Sequence, residues 1–326
     1  MAAEIYVISG FLGAGKTTLI QKLLKEAFQN EKVILIENDF GDISVDAALL
    51  KSGSVEVREI TSGCICCSLS GDFIKALKEV LDRFHPDKII IEPSGVGKLS
   101  DIIKACSHPL IRPLAKVKLK ITVADVKRCR IYLDNFGEFF EDQIQNADVI
   151  LLSRTEAFPD KVNAARELIR DLNARSVILS KPWDRMNAAE FLYPGQDSRQ
   201  IRQRNPESRS VSMPHGLHSH GSCKHEHHGS CGHNHPAEEV FDTVTIRTGR
   251  IFSMEDLKAR VSAMEQNERG TVLRAKGIVQ GTSGYINLQY LPGDIRITQC
   301  AAAGDMLCII GQNLDRRELC TLFGGE

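Results

Sequence analysis

Gly10-Phe11-Leu12-Gly13-Ala14-Gly15-Lys16-Thr17 decides how the rest of this sequence is read. The stretch fits G-x-x-x-x-G-K-[ST] completely. It follows the apolar run Ile5-Tyr6-Val7-Ile8 and precedes Leu19, Ile20, Leu23, Leu24 and Ala27 at helical spacing, so a strand, a tight turn and a helix are expected in that order. Phosphate oxygens must be met by charge without steric hindrance. Glycines at 10, 13 and 15 let backbone N–H groups come close, and the helix N-terminus adds the positive end of its dipole. The candidate nucleotide-binding residues are Gly10, Gly13, Ala14, Gly15, Lys16, Thr17 and Thr18. Lys16 is expected on the β- and γ-phosphates and Thr17 on Mg²⁺. A dinucleotide-binding turn would need a further glycine where Thr18 stands, which disfavours that fold.

Outward from the loop, apolar runs alternate with amphipathic segments. Val33-Ile34-Leu35-Ile36, Ile89-Ile90-Ile91, Lys120-Ile121-Thr122-Val123 and Val149-Ile150-Leu151-Leu152 read as buried strands, and Phe73, Ile74, Leu77, Val80, Leu81 and Phe84 as a helix. Continuous apolar strands separated by helices predict an α/β domain, a mostly parallel sheet flanked by helices. Acids at the ends of such strands point into the ligand crevice. Glu92, followed by Pro93-Ser94-Gly95, is therefore a candidate beside the metal, with Gly95 open to a γ-phosphate; Asp125 shares the placement. Glu37-Asn38-Asp39-Phe40-Gly41-Asp42 is a candidate switch loop, and Asp39 joins Lys16, Thr17 and Glu92 as a candidate catalytic residue.

The composition excludes several classes. Of 326 residues, 42% are hydrophobic and 25% charged, as in ordinary globular proteins. With 41 Lys plus Arg against 42 Asp plus Glu, the net charge is −1, so no blanket attraction to nucleic acid or to an anionic membrane is expected. No apolar run approaches the ~18 residues of a membrane span, and the N-terminus has no signal-like core; a cytoplasmic location is the expectation.

Three thiols fall within four residues, at Cys64, Cys66 and Cys67. Thiolates are soft ligands suited to Zn²⁺ or Cu(I), and three of them leave one tetrahedral position open, which fits a metal that is handed on. A redox pair or plain burial are the alternatives. Cys106, Cys129, Cys300, Cys308 and Cys320 are scattered and read as small core residues.

Past about Asp184 the periodicity fails. Residues 194–237 are rich in Ser, Arg, Gly, Pro and His, and read as a flexible linker. Eight of the ten histidines fall here, at His215, His218, His220, His225, His227, His228, His233 and His235, interleaved with Cys223 and Cys231. Such a tract would collect metal ions loosely. Periodicity returns at Val240–Ile246, followed by a helix through Met254, Leu257, Val261 and Met264. Strands are expected over Val272–Val279, Tyr285–Tyr290 and Met306–Ile310, then a helix over Leu314–Phe323. The expected division is a nucleotide-binding domain over 1–183, a His-rich linker over 184–238 and a small α+β domain over 239–326.

Gly10–Thr18, Glu37–Gly41, Gly63–Cys67, Glu92–Gly95 and Leu273-Arg274-Ala275-Lys276-Gly277 together resemble the CobW-type metallochaperone GTPases, relatives of the hydrogenase and urease nickel-insertion GTPases (the CobW/HypB/UreG group). The resemblance runs over nearly the whole chain. It implies a P-loop GTPase that binds GTP and Mg²⁺, turns over slowly by itself, and couples hydrolysis to delivery of Zn²⁺, or of Co²⁺ or Ni²⁺, to a client metalloprotein. It also implies metal ligation by Cys64, Cys66 and Cys67 with Glu37. The usual guanine-reading Asn-Lys-x-Asp is here Ser153-Arg154-Thr155-Glu156, where Glu156 would accept from the base and Arg154 would stack on it. The competing readings are a P-loop kinase of a small molecule and a metal store with peripheral nucleotide binding.

Overall fold

The computed structural model describes residues 2–29, 31–37, 56–59, 71–194, 240–266 and 270–325. The chain begins with β1 (Ala3–Gly10), α1 (Lys16–Glu26), β2 (Val33–Glu37) and β3 (Glu56–Glu59). It continues with α2 (Gly71–Phe84), β4 (Lys88–Glu92), α3 (Leu99–Cys106), β5 (Ala115–Asp125) and α4 (Cys129–Gln145). β6 (Val149–Ser153), α5 (Val162–Leu172), β7 (Val177–Leu179) and α6 (Ala188–Leu192) complete this part. Among the described residues, the seven strands form one sheet in the order β3-β2-β4-β1-β5-β6-β7, with every pair parallel.

The apolar runs explain the arrangement. Val33–Ile36, Ile89–Ile91 and Val149–Leu152 are buried on both faces, because helices cover both sides. Ile5, Val7, Ile34, Ile89 and Ile91 pack on α2, α3 and α4, while Tyr6, Ile8, Leu35 and Ile90 pack on Leu19, Ile20 and Leu23 of α1. Since β1 pairs with β4 on one side and β5 on the other, the loop after β1 emerges between the ends of those two strands.

The expected linker over 184–238 has an ordered beginning. Met186, Ala188, Phe191 and Leu192 are buried against the α1 side of the sheet, and Asn187 caps α6 through a capping box with Glu190. Residues 195–239, which include the histidine tract, lie outside the described residues.

The later part contains β8 (Asp242–Arg247), α7 (Met254–Glu265), β9 (Thr271–Gly281), β10 (Gly284–Leu291), β11 (Asp294–Cys300), β12 (Met306–Gln312) and α8 (Arg316–Phe323). Its strands form an antiparallel sheet, β11-β10-β9-β12-β8, five strands among the described residues. The first strand starts at Asp242, two residues later than its pattern suggested, and the last helix starts at Arg316 because Asp315 caps it. β11 has no apolar run of its own: Ile295 and Ile297 alternate with half-buried or exposed residues along a sheet edge.

One face of the second sheet packs on α7 and α8 through Leu257, Val261, Leu319 and Phe323. The other face joins the first core. Phe241, Leu273, Cys308 and Ile310 pack with Phe136 and Phe139 of α4, and the Phe241 ring lies 5.0 Å from Phe139 and 5.5 Å from Phe136. Among the described residues no helix is long and apolar enough to cross a membrane.

Candidate functional site: a phosphate loop roofed by the second sheet

The loop between β1 and α1 is held from below by aromatic packing. Phe11 stacks 4.2 Å from Tyr132 and 5.5 Å from Phe136, and the Tyr132 hydroxyl donates to the Leu12 carbonyl at 3.1 Å. Gly10 takes φ +140, and a Cβ there would strike the Val123 carbonyl, so the turn out of β1 needs glycine. Gly15 stands at the start of α1 with φ +111, and among the described residues no side chain caps that helix. Its first amides are therefore the kind of unfilled donors that bind an anion.

Lys16 and Thr17 reach the strand-end acid expected from the sequence. Lys16 Nζ lies 3.9 Å from Glu92 Oε1, and the Thr17 hydroxyl donates to the same oxygen at 3.4 Å. Glu92 is the register partner of Glu37, so two buried or nearly buried carboxylates sit side by side at the ends of β4 and β2. The loop after Glu92 is fixed by the Gln143 amide, which donates to the carbonyls of Gly95 and Gly97 at 3.1 and 2.8 Å. Gly95 is pressed against the Leu12 backbone, where any Cβ would clash. Its smallness thus serves packing of the phosphate loop itself.

A cavity of about 450 Å³ opens over this floor. The first domain contributes residues 13–18, Glu92, Ser153, Arg154 and Trp183; the second sheet contributes Arg274, Gln289, Tyr290, Leu291, Asp294 and Arg296. Its size and mixed lining suit a small ligand. Sequence reasoning missed Trp183 and the entire roof. Trp183 follows β7 in a short 3-10 turn, its indole N–H donates to the Leu152 carbonyl at 2.9 Å, and a Cβ on Gly15 would stand 3.2 Å from its ring. Its being the only tryptophan was the faint signal.

Arg154 has a structural part that the sequence did not show. It lines the cavity, as a base-stacking role requires, and it also sits at φ +60 against three partners: the Gly13 carbonyl at 3.2 Å, Asp125 at 3.3 Å and Asp294 at 3.6 Å. Buried Asp125 also holds Arg128 at 2.8 Å, and Arg128 donates to the Pro292 carbonyl at 3.2 Å. These two arginines clamp the β10–β11 turn onto the phosphate loop, where Leu291 rests against Gly13 so closely that a Cβ on the glycine would collide with it. Glu156 is not brought to the cavity. It is 57% exposed and faces Arg185 at 3.8 Å. Ser153 is buried in the cavity wall, and its hydroxyl has no hydrogen-bond partner among the described residues.

Behind the roof, Lys276 is fully buried. Burial pushes its ammonium down to about 8; the fields of Cys308 and Glu37 oppose this and that of Lys16 adds to it. Asp39, Cys64, Cys66, Cys67 and the tract His215, His218, His220, Cys223, His225, His227, His228, Cys231, His233 and His235 lie outside the described residues. Among the described residues, no group of three or more His, Cys, Asp or Glu side chains could hold a metal ion. Of the five other cysteines, Cys106, Cys129 and Cys308 are buried as expected, whereas Cys300 and Cys320 are half-exposed.

A parallel sheet, a glycine-rich loop opening an uncapped helix, and a lysine, a threonine and an acid converging beneath a cavity define a phosphate-loop nucleotide-binding protein. Comparison with known proteins makes this specific. The CobW/HypB/UreG nucleotide-binding domain matches residues 4–180, and the C-terminal domain of the cobalamin synthesis protein cobW matches residues 241–325. The chain belongs to the CobW/HypB/UreG family.

A zinc chaperone CobW from Sinorhizobium sp is 39% identical over 178 residues, 46% of this chain and 50% of that protein. The zinc chaperone YjiA from Escherichia coli (strain K12) is 32% identical over 180 residues, 53% of this chain and 56% of that protein. The chain thus spans about half the length of these relatives. The Zn(II)-bound YjiA GTPase structure from E. coli aligns with 99% of this chain and 98% of that one, at 17% identity and a TM-score of 0.45; family membership does not rest on it.

Proposed function

We propose that this protein is a GTPase that couples GTP hydrolysis to delivery of a transition metal, zinc above cobalt or nickel, to a client metalloprotein. The observation that carries the nucleotide half is the convergence of Lys16 and Thr17 on Glu92 at 3.9 and 3.4 Å beneath the cavity. Backbone amides of residues 13–18 would cradle the phosphates, and Lys16 would neutralise the β- and γ-oxygens. Thr17 and Glu92 offer two hard oxygen donors side by side, a set that fits Mg²⁺; bound there, the ion would neutralise charge on the phosphates. On the base side, the Ser153 hydroxyl and the Trp183 ring line the wall where guanine would lie. Asp39 would act from the switch segment, and Glu156 would need a rearrangement to reach the base.

The metal half rests on residue chemistry and on the names of relatives. Three thiolates at Cys64, Cys66 and Cys67, with Glu37 at the end of β2, form a soft-ligand set with an oxygen donor that suits Zn²⁺ as cargo. The eight histidines of His215–His235, with Cys223 and Cys231, would load it. The relatives named zinc chaperones support zinc as the metal. The domain division at 183 and 238 follows the same reading.

Phosphate release is the test. GTP should be hydrolysed slowly, ATP should compete poorly, and Lys16→Ala should lose turnover by about two orders of magnitude or more. Equal competition by ATP, or undiminished turnover in Lys16→Ala, would overturn the nucleotide half.

A further inference from the structure

The segment Leu273-Arg274-Ala275-Lys276-Gly277 carries two cations within the mostly apolar and buried middle of β9, between Val272 and Val279. A one-residue irregularity decides where they point. β12 pairs with β9 through Ile310 opposite Arg274 and then Gly311 opposite Val272, so Leu273 is an extra, unmatched residue. The packing agrees: Val272 and Ala275 belong to the core beneath α7 and α8, whereas Leu273 belongs to the core shared with the first domain. Such a bulge re-aims the side chains beside it. Here it puts Arg274 on the face toward the phosphate loop together with Leu273 and Lys276.

The register extends this face sideways. Lys276 stands opposite Gln289, and Gln289 opposite Arg296, in one cross-strand row. The cations of this face are not equivalent. Arg296 is 67% exposed at the rim and paired with Asp294 at 3.2 Å. Lys276 is sealed behind the cavity, in the field of Glu37. Arg274 is half-buried and lines the same cavity as Lys16, Thr17 and Glu92.

We propose that Arg274 is a catalytic arginine supplied in cis by the second sheet, which engages the terminal phosphate of the bound nucleoside triphosphate. This rests on the hydrolytic reading above and deepens it. In the reaction, the oxygen of a water molecule forms a bond to the γ-phosphorus. The bond from that phosphorus to the β–γ bridging oxygen breaks, its electron pair stays on the β-phosphate, and both hydrogens of the water leave with the released phosphate. Charge grows on the bridging and non-bridging oxygens as this happens. A guanidinium, always protonated and able to donate in a planar fork, matches that charge better than an ammonium does. A positive group delivered this way needs no partner protein to complete the site, but it does require the second sheet to be seated. The Arg154 and Arg128 clamps supply that seating.

The test uses the full-length chain with Arg274→Ala and Arg274→Lys, and measures phosphate release at saturating GTP beside the dissociation constant for GDP. Arg274 serves the terminal phosphate, so both variants should keep GDP affinity within about threefold while kcat falls at least about a hundredfold. Added guanidinium ion should restore part of the turnover of Arg274→Ala, a rescue that a merely structural role would not allow. GDP with aluminium fluoride, which mimics the phosphoryl group in flight, should bind the wild type tightly and both variants weakly. Turnover in Arg274→Ala within threefold of wild type would overturn the assignment. So would a loss of turnover matched by an equal loss of GDP affinity. A wild-type chain that releases no phosphate from GTP would overturn the hydrolytic reading itself, and this assignment with it.

Discussion

The Nη2 of Arg154 donates to the carbonyl oxygen of Gly13 at 3.2 Å, so the loop after β6 holds the phosphate loop by its backbone. The same guanidinium faces Asp125 and, across the domain boundary, Asp294. Removing it leaves the buried Asp125 with less cationic compensation and frees the turn that carries Leu291. Arg154→Ala should weaken nucleotide binding by about tenfold and lower stability by ~1–3 kcal/mol. Arg154→Lys, which cannot serve three acceptors as a planar fork, should recover only part. Titration with a fluorescent guanine nucleotide checks the first figure and urea unfolding the second; affinity and stability both unchanged would refute the clamp.

Trp183 makes the site report on itself. It is the only tryptophan, it lines the cavity, and its ring lies against the start of α1. Binding of GTP or GDP should change its emission saturably, and Lys16→Ala should require far more nucleotide for the same change. An emission that is indifferent to saturating nucleotide would place the base elsewhere.

At the opposite end of β1, burial would raise the Glu4 carboxyl, but bonds from Lys88, Tyr6 and Lys118 outweigh it and hold the group down at about 2. Its native value is below its unfolded one. The stabilisation it gives is therefore complete above the ordinary carboxyl value of 4.5 and is lost as pH falls toward about 2. Glu4→Gln should lower the urea midpoint at pH 7 and flatten its decline between those pH values. A variant with the same acid dependence as wild type would show that the cluster around Lys88 contributes nothing measurable.

The first domain was largely legible in the sequence because its signals are local. A phosphate loop declares itself over eight residues, and a parallel sheet needs strands apolar on both faces, as Ile89–Ile91 and Val149–Leu152 are. Glu92 could be placed because strand ends face the crevice. What escaped depends on register and on packing between distant segments. β11 carries mostly polar residues along an edge, so periodicity says little. The aim of Arg274 depends on an unmatched Leu273, which only the pairing of β12 with β9 reveals. The ion pairs of Arg154 were invisible in the sequence because its partners Asp125 and Asp294 come from other parts of the chain.

The triphosphate site and the proposed metal site are expected to sense each other. Glu37 would join them, since it ends the strand beside Glu92 and belongs with the three thiols to the proposed ligand set. The direct measurement is the affinity of the full-length protein for Zn²⁺ at Cys64, Cys66 and Cys67, determined by chelator competition with a non-hydrolysable GTP analogue bound and again with GDP, with the triple serine variant as the blank. Zn²⁺ should be held at least about tenfold more tightly in the triphosphate state, a coupling of ~1.4 kcal/mol. Equal affinities in the two states would contradict it.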